Sequence, residues 1–406
     1  MSAPALYREM GLEGYRIEDT CRGEDGALYV LISVPRESLC CRNCGCSRVH
    51  LHDSCQRFWK AAPLGLTPVF VTMKAPRVKC LSCGSRTWHQ PAFAQGQRQI
   101  SKKCEQFLEA LLSRLTIQDV VEMFGVSWNT VCEIDIRRLK KLSRPGLAGL
   151  KRLAIDEVYL RKRHKFITLV VDLDTRAVVS VAPGRGLADL QGILLRLKRA
   201  QAQVQAVATD MSGCYIAAVL KYLPNARLVY DHFHVIKLMN DKLTTLRRDL
   251  YQEAAGPMHR QVLKGIRWLL LKNPENLQQN ERVDESQRLE DALRLNRSLA
   301  IANYLKEDLG QFWNQKSILA AERFLDDWCR RADASGIRIL KTMAKTLQAH
   351  RQGLLNWYLD SISSGPLEGI NNKIGALQRR AYGYRNYEHF KQRLLTLHHT
   401  RFVLNG

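Results

Sequence analysis

The sequence predicts a multidomain α/β protein, and three features of its 406 residues carry that prediction. Eight of its 12 cysteines, at 21, 40, 41, 44, 46, 55, 80 and 83, fall before residue 84. Strand-like and helical runs alternate from residue 151 to residue 231, and from about His234 to Trp357 the period is mainly helical. A chain of this length, 46% hydrophobic, can bury sizeable cores and divide into roughly two to four domains.

Charge and compartment narrow the class. Lys and Arg number 62 against 39 Asp and Glu, a formal net charge of +23, which favours a polyanionic partner such as nucleic acid or an acidic membrane surface. Basicity alone does not choose between them. The opening MSAPALYREMGLEG lacks a charged-then-apolar secretory pattern, and no run approaches the roughly 18–20 apolar residues that span a bilayer. A cytoplasmic protein with no membrane partner is therefore expected, its cysteines reduced or bound to metal.

Residues 1–95 read as a zinc-binding module. Cys41-Arg-Asn-Cys44-Gly45 and Cys80-Leu-Ser-Cys83-Gly84 are two Cys-x-x-Cys-Gly knuckles, in which a turn aims two sulfurs at one ion and glycine permits the reversal. Together they offer four thiolates for a tetrahedral, structural Zn²⁺. Between them, VFVTMKAPRVKC reads as a strand of a hairpin that runs into the second knuckle. Cys40 and Cys46 flank the first pair as possible substitutes; His50, His52, Cys55 and His89 have no spacing in their favour.

Residues 100–145 read as a helix-turn-helix. Apolar Ile117, Val120, Val121 and Phe124, then Gly125, then Val126, Val131 and Ile134 describe two short helices around a tight turn. Thr116 and Ser127 can cap them, leaving Trp128, Asn129 and Thr130 at the start of the second helix, where recognition helices meet base edges. An αα-hairpin that serves only packing has the same pattern. The run Arg137-Arg138-Leu-Lys140-Lys141 fits a solvated helix face or a phosphate-neutralising one.

From residue 150 to 235 the order is three strands with short links (KRLAIDEVYL, KFITLVVDLD, AVVSVAP), a helix from about Leu187 to Ala200, a strand ending at Asp210, a helix from about Tyr215 to Leu223, and a strand ending at Asp231. That is the topology of a ribonuclease H-like catalytic core, in which the first acid sits on the opening strand and the second at the end of the fourth. Asp156 and Asp210 match those places. Asp156 and Glu157 must face opposite sides of their strand, so only one of them can share a site with Asp210. Carboxylates suit Mg²⁺ or Mn²⁺, hard cations that prefer oxygen.

Residues 236–357 form an all-α insertion, whose leucine and tryptophan stripes read as core. In the C-terminal part, 358–406, Pro366 stands near a helix start and Glu368 falls in its first turn. A lone glutamate there would serve the helix dipole. Its neighbourhood points elsewhere: residues 373–401 carry seven basic side chains against one acid, Glu388, with Tyr382, Tyr384 and Tyr387 set among Lys373, Arg379, Arg380 and Arg385. Cations interleaved with aromatics suit a DNA backbone and unstacked bases.

Leu153-Ala-Ile-Asp156-Glu-Val, Ala208-Thr-Asp210-Met-Ser, Asp231-His-Phe-His234-Val-Ile-Lys237, Gly365-Pro-Leu-Glu368-Gly-Ile-Asn-Asn-Lys373 and Tyr382-Gly-Tyr-Arg385-Asn together closely resemble the bacterial insertion-sequence transposases of the ISL3 family. The resemblance spans nearly the whole chain. It implies that Asp156, Asp210 and Glu368 are the metal-binding acids of a DDE transposase, across an insertion of more than one hundred residues that no local pattern bridges. It further implies binding to double-stranded DNA at terminal inverted repeats, cleavage there, joining of the 3′ ends to target DNA, and at least a dimer on DNA. It gives no role to Asp231, His232 or His234. The rival readings are a DNA-binding regulator with an inactive ribonuclease H-like part, and a nuclease or resolvase without strand transfer.

Overall fold

The computed structural model describes residues 7–96, 98–143, 146–160, 166–184, 186–272, 283–381, 383–384 and 386–399. Two compact units emerge: Met1–Ser143 with Arg380–Gln392, and Arg144–Arg379 with Arg393–Gly406. The architecture is mixed α/β and multidomain.

The first unit opens with a five-stranded sheet. β1 (Arg16–Arg22) and β2 (Leu28–Ser33) are antiparallel, β2 runs parallel to β4 (Val69–Cys80), β4 is antiparallel to β3 (Val49–Lys60), and β5 (Arg86–Trp88) pairs with the end of β4. The long β3–β4 hairpin explains how knuckles so far apart in sequence can meet, because its register sets Val49 opposite Cys80. One sheet face is sealed by Val30, Ile32, Val71, Met73 and Trp59, with Tyr15 and Trp59 each packed edge-on against Phe93.

Three helices follow: α1 (Lys102–Leu111), α2 (Ile117–Phe124) and α3 (Trp128–Leu142). Thr116 caps α2 in a reciprocal capping box with Asp119, Gly125 ends it in the left-handed region at φ 56°, and Ser127 caps α3. The pair expected between Thr116 and Ile134 is there, but its second helix is longer, absorbing the basic run through Leu142. Ile100, Leu108, Leu112, Val120, Val131 and Ile134 form the core among the three helices.

In the second unit the sheet order is β10-β9-β6-β7-β8. β6 (Arg152–Tyr159), β7 (Phe166–Asp172) and β8 (Val178–Pro183) form an antiparallel meander, as their short links require. α4 (Leu187–Arg199) leads to β9 (Ala206–Thr209), and α5 (Gly213–Tyr222) leads to β10 (Arg227–Tyr230); β9 runs parallel to both β6 and β10.

The helical stretch comprises α6 (His232–Glu253), α7 (Pro257–Gly265), α8 (Val283–Leu295), α9 (Arg297–Gly310), α10 (Ile318–Ala334), α11 (Arg338–Ala349) and α12 (Arg351–Leu355). Its buried side chains are continuous with those of the sheet and α4 in one hydrophobic core. Trp328, fully buried on α10, donates its indole N–H to Leu305 O of α9 at 2.9 Å. The stretch closes back on edge strand β10: Asn356 Nδ2 donates to Leu228 O at 2.8 Å, and Arg227 pairs with Asp360. A Cβ at position 353 would lie 2.2 Å from the Tyr230 ring, so only glycine lets α12 pass β10 this closely. α13 (Gly365–Arg380) and α14 (Tyr387–Leu395) follow.

The chain leaves the second unit after Arg379, contributes residues 380–392 to the first, and returns at Arg393. Most of α14, placed by the sequence reading in the C-terminal part of the catalytic core, thus belongs with the three-helix bundle. His389 Nε2 lies 2.6 Å from Asp135 Oδ2 of α3, and both side chains are buried. Ser143 Oγ donates to Gln392 Oε1 at 3.0 Å, and Lys140 pairs with Glu388 at 3.3 Å.

Candidate metal centres and nucleic-acid interface

Among the described residues, one group of three or more metal-ligating side chains brings its donor atoms within 4.8 Å of one another: Cys41, Cys44, Cys80 and Cys83. The two knuckles are built alike. Gly45 N–H donates to Cys41 O at 2.8 Å and Gly84 N–H to Cys80 O at 3.1 Å, and both glycines sit at φ 70°. Cys41 Sγ lies 3.6 Å from Cys83 Sγ, and Cys44 Sγ 3.5 Å from Cys80 Sγ. Sulfurs bound at about 2.3 Å to one tetrahedral zinc would stand about 3.8 Å apart, whereas a disulfide needs about 2.05 Å, so the donor set fits a cation.

Protonation favours the same reading. A hydrogen bond with Ser85, then the amides of Cys44 and Asn43, hold the Cys41 thiol down at about 6. The Cys46 amide acts to lower Cys44, but the shared hydrogen bonds with the Cys80 and Cys83 thiols and burial prevail and push it up to about 12. Four thiols this close cannot all ionise without a cation among them. Ser85, which contacts Cys41 and Cys83 at 3.2 and 3.0 Å, is a member of the site that the cysteine spacing did not reveal. Cys46 turns instead to Ser82 Oγ at 3.0 Å, and His89 to Tyr15 OH at 3.2 Å.

The acids are arranged differently. β6 and β9 pair at Arg152↔Ala206, Leu153↔Val207 and Ala154↔Ala208, and the same offset carries Asp156 level with Asp210, one residue past the end of β9. Asp156 Oδ1 lies 3.8 Å from His234 Nε2 on α6. Glu157 faces the other way and accepts from Tyr215 OH at 2.9 Å, with Thr168 Oγ1 3.0 Å from the same hydroxyl. The two neighbouring acids thus meet different partners, His234 and Tyr215.

Burial raises the Asp156 carboxyl above the usual range; the Glu157 amide and His234 oppose the shift, while Asp210 and Asp231 add to it. Asp210 accepts from Ser212 N–H at 3.0 Å. Glu368 lies exposed in the first turn of α13. Asp156, Asp210 and Glu368 do not form a group with all donor atoms within 4.8 Å. Among the described residues none of the three is paired with a lysine or arginine, and Asp156 has His234 as its ion-pair partner. Carboxylate oxygens without a lysine or arginine partner fit a hard divalent cation.

The candidate DNA contacts divide. At the start of α3, Asn129 is exposed, Trp128 is half-buried against the three-helix core, and Thr130 Oγ1 lies 2.8 Å from Ser127 Oγ. Arg137 and Arg138, expected on a phosphate-facing surface, are turned into the protein. Arg137 donates to Gln95 Oε1 at 2.8 Å and Glu105 Oε2 at 2.9 Å, while Arg138 donates to Asp135 Oδ1 at 2.7 Å and Leu112 O at 3.2 Å. A buried carboxylate needs a partner, and these two guanidiniums supply it for Glu105 and Asp135. Lys373 and Arg379 are exposed on α13; Arg380 donates to Arg114 O; Arg385 and Tyr382 lie outside the described residues.

A profile of DDE-type ISL3 transposases matches residues 153–394, a span that includes Asp156, Asp210 and Glu368. The chain is also 30% identical over 391 residues to the transposase of insertion sequence element IS1001 from Bordetella parapertussis, covering 94% of each chain. The chain belongs to the ISL3 family of transposases. The transposase of IS1557 from Mycobacterium tuberculosis is 27% identical to it over 407 residues, covering 92% of this chain and 89% of that one. Among solved structures, the Drosophila P element transposase strand transfer complex aligns over 74% of this chain at 13% identity and a TM-score of 0.35. As an ISL3 transposase, the protein is an enzyme that acts on DNA and requires a divalent metal. Among the described residues, no helix is long and apolar enough to cross a membrane.

Proposed function

We propose that this transposase binds the terminal inverted repeats of an insertion sequence, cleaves DNA at the element ends, and joins the freed 3′ ends to target DNA at one site formed by Asp156, Asp210 and Glu368. The observation that carries the reading is the register of the parallel pair β6 and β9, which brings Asp156 on β6 level with Asp210 just past the end of β9, with Asp156 partly buried and, among the described residues, not paired with arginine or lysine. The meander β6-β7-β8, extended through β6 by the parallel strands β9 and β10, supports a ribonuclease H-like core, and α6 to α12 then form its all-α insertion before Glu368.

The three carboxylates would hold Mg²⁺ or Mn²⁺, which when bound supply charge neutralisation for the attacking and leaving oxygens of an in-line displacement at phosphorus. The protein's own part is orientation. β6 fixes Asp156, the turn after β9 fixes Asp210 through Ser212, and α13 delivers Glu368 from beyond the helical segment. The four thiolates would hold a structural Zn²⁺ that pins the β3–β4 hairpin. Asn129, Trp128 and Thr130 would read base edges, with Lys373 and Arg379 on phosphates, and Arg137 and Arg138 would secure the helices beneath. Two ends must be held together for joining, so a dimer or larger assembly on DNA follows.

Incubating the purified protein with labelled element ends, a plasmid target and Mg²⁺ tests this reading. Asp156→Ala, Asp210→Ala and Glu368→Ala should each lower cleavage and joining by about a hundredfold or more while leaving end binding intact. Cutting at the wild-type rate by these variants would refute the site. End binding by wild type with no cutting under any divalent metal would favour a regulator instead.

A further inference from the structure

Asp231 is the buried acid beside this site that the chemistry above does not use. It stands where β10 ends and α6 begins, fully shielded from solvent. Its Oδ1 accepts from Phe233 N–H at 3.4 Å and lies 3.4 Å from His232 Nδ1. Its Oδ2 accepts from the hydroxyl of Ser364. With both oxygens engaged inside the protein and no exposed edge, it is not placed to hold a metal.

Capping a helix needs one carboxylate oxygen on a backbone amide. The second oxygen, spent on a serine far along the chain, has no part in that. Ser364 is itself buried, and its carbonyl receives the Leu367 N–H at 2.7 Å, which starts the first turn of α13, the turn that carries Glu368. On the strand side, Asp231 N–H donates to Thr209 O at 3.2 Å, the residue before Asp210. One turn of α6 away, His234 meets Asp156. The backbone or side chain of Asp231 thus engages the residue before Asp210, the start of the helix bearing Glu368, and the start of the helix whose histidine faces Asp156.

We propose that Asp231 is a positioning residue that sets the register of Asp156, Asp210 and Glu368 by clamping the start of α13, through Ser364, to the junction of β10 and α6. This rests on the reading of those three as the metal acids. Burial disfavours the Asp231 anion, but the hydrogen bonds from His232 and Ser364, with the fields of His232 and His234, hold its carboxyl below the usual range. It therefore stays ionised, and an anion accepts the serine hydroxyl more strongly than a neutral acid would.

The test uses the full chain, Mn²⁺ alone as probe, and Ser364→Ala as the mild variant, with Asp231→Asn, Ser364→Thr and Asp156→Ala beside it. Mn²⁺ binding is followed by electron paramagnetic resonance, and amide hydrogen exchange is read across residues 364–372. Ser364→Ala and Asp231→Asn should weaken Mn²⁺ binding about tenfold and speed exchange in the first turn of α13. Their cleavage rate should recover at saturating Mg²⁺, and Ser364→Thr, which keeps the hydroxyl, should behave as wild type. Wild-type Mn²⁺ affinity and exchange in Ser364→Ala, with binding lost in Asp156→Ala, would overturn the clamp and leave the acids standing. Undiminished Mn²⁺ binding and cutting by Asp156→Ala would overturn the reading of the acids, and the clamp with it.

Discussion

The thiol cluster of the first unit and the acids of the second are both candidate metal sites, yet the first brings its donor atoms into one tight group and the second does not. The four sulfurs come from two knuckles whose turns are fixed locally, and a single hairpin carries one knuckle to the other. The three carboxyls come from a strand, a strand end and a helix, and they do not share a common donor cluster. Thiols can sit close together because a protonated thiol donates to a neighbouring sulfur, as the opposite shifts of Cys41 and Cys44 illustrate. Carboxylates at neutral pH repel. The thiol site is therefore set by local turns, and the carboxylates need a cation to offset their repulsion.

Zinc removal breaks this comparison most severely. Chelation, or Cys80→Ser, should reduce bound zinc from one per chain to none, and structural zinc contributes on the order of 10 kcal/mol in isolated fingers. Here the core of Val30, Met73 and Trp59 remains, so the loss should concentrate at the knuckle end of β3 and β4. We expect the melting temperature of the first unit to fall by about 10 °C or more, faster hydrogen exchange near Cys41 and Cys80, and loss of DNA-end binding. An unchanged melting curve in the zinc-free protein would show that the cluster is not structural.

The buried pair that joins α14 to α3 sharpens the contrast from the other side, since it holds a distant segment in place without any metal. Asp135→Ala leaves both His389 and Arg138 without their carboxylate inside the bundle. Such a loss costs about 3–5 kcal/mol, so denaturant unfolding of the first unit should shift by that amount. Asp156→Ala should leave this transition untouched. A shift below about 1 kcal/mol in Asp135→Ala would mean that α14 is merely apposed to the bundle.

How much of this could be read in the sequence follows the same local-versus-distant division. The knuckles, the caps Thr116 and Ser127, the glycine at 125 and the meander of β6 to β8 were legible because each is set by residues within a few positions of one another. The alternation rule placed Asp156 and Glu157 on opposite faces, but their partners His234 and Tyr215 lie too far along the chain for it to name. Arg137 and Arg138 looked like a phosphate-facing run because their charge is visible in sequence, while Glu105 and Gln95, the distant partners of Arg137, and Leu112 O, which Arg138 reaches, give no local sign. Likewise, nothing around Asp231 announces Ser364, and nothing around His389 announces Asp135. Contacts between residues far apart in the chain are selected by packing, which periodicity does not encode.

The smallest effect distinguishes the sites by their response to cations. Mg²⁺ or Mn²⁺ at about a hundred times its dissociation constant should stabilise the second unit by about 2.7 kcal/mol, a rise of roughly 5–10 °C in its melting temperature, while leaving the zinc-loaded first unit unchanged. Asp156→Asn should abolish that gain, and in metal-free protein it should raise the melting temperature by less than the metal does. The sign follows from the raised carboxyl of Asp156. Its contribution to stability is fully present below the ordinary carboxylate pKa and is lost as pH rises through the folded value, so at neutral pH the ionised residue is a cost that asparagine removes. Asp231, held below the usual range, has the opposite dependence: its contribution is present above the ordinary pKa and lost as acid protonates it. Metal-free thermal melts from pH 3 to pH 8 should therefore show Asp156→Asn gaining over wild type toward neutrality and Asp231→Asn losing. If Asp156→Asn is instead less stable than wild type at pH 7 without metal, the ionised carboxylate is satisfied by protein groups alone, and repulsion among the acids is not what a cation relieves there.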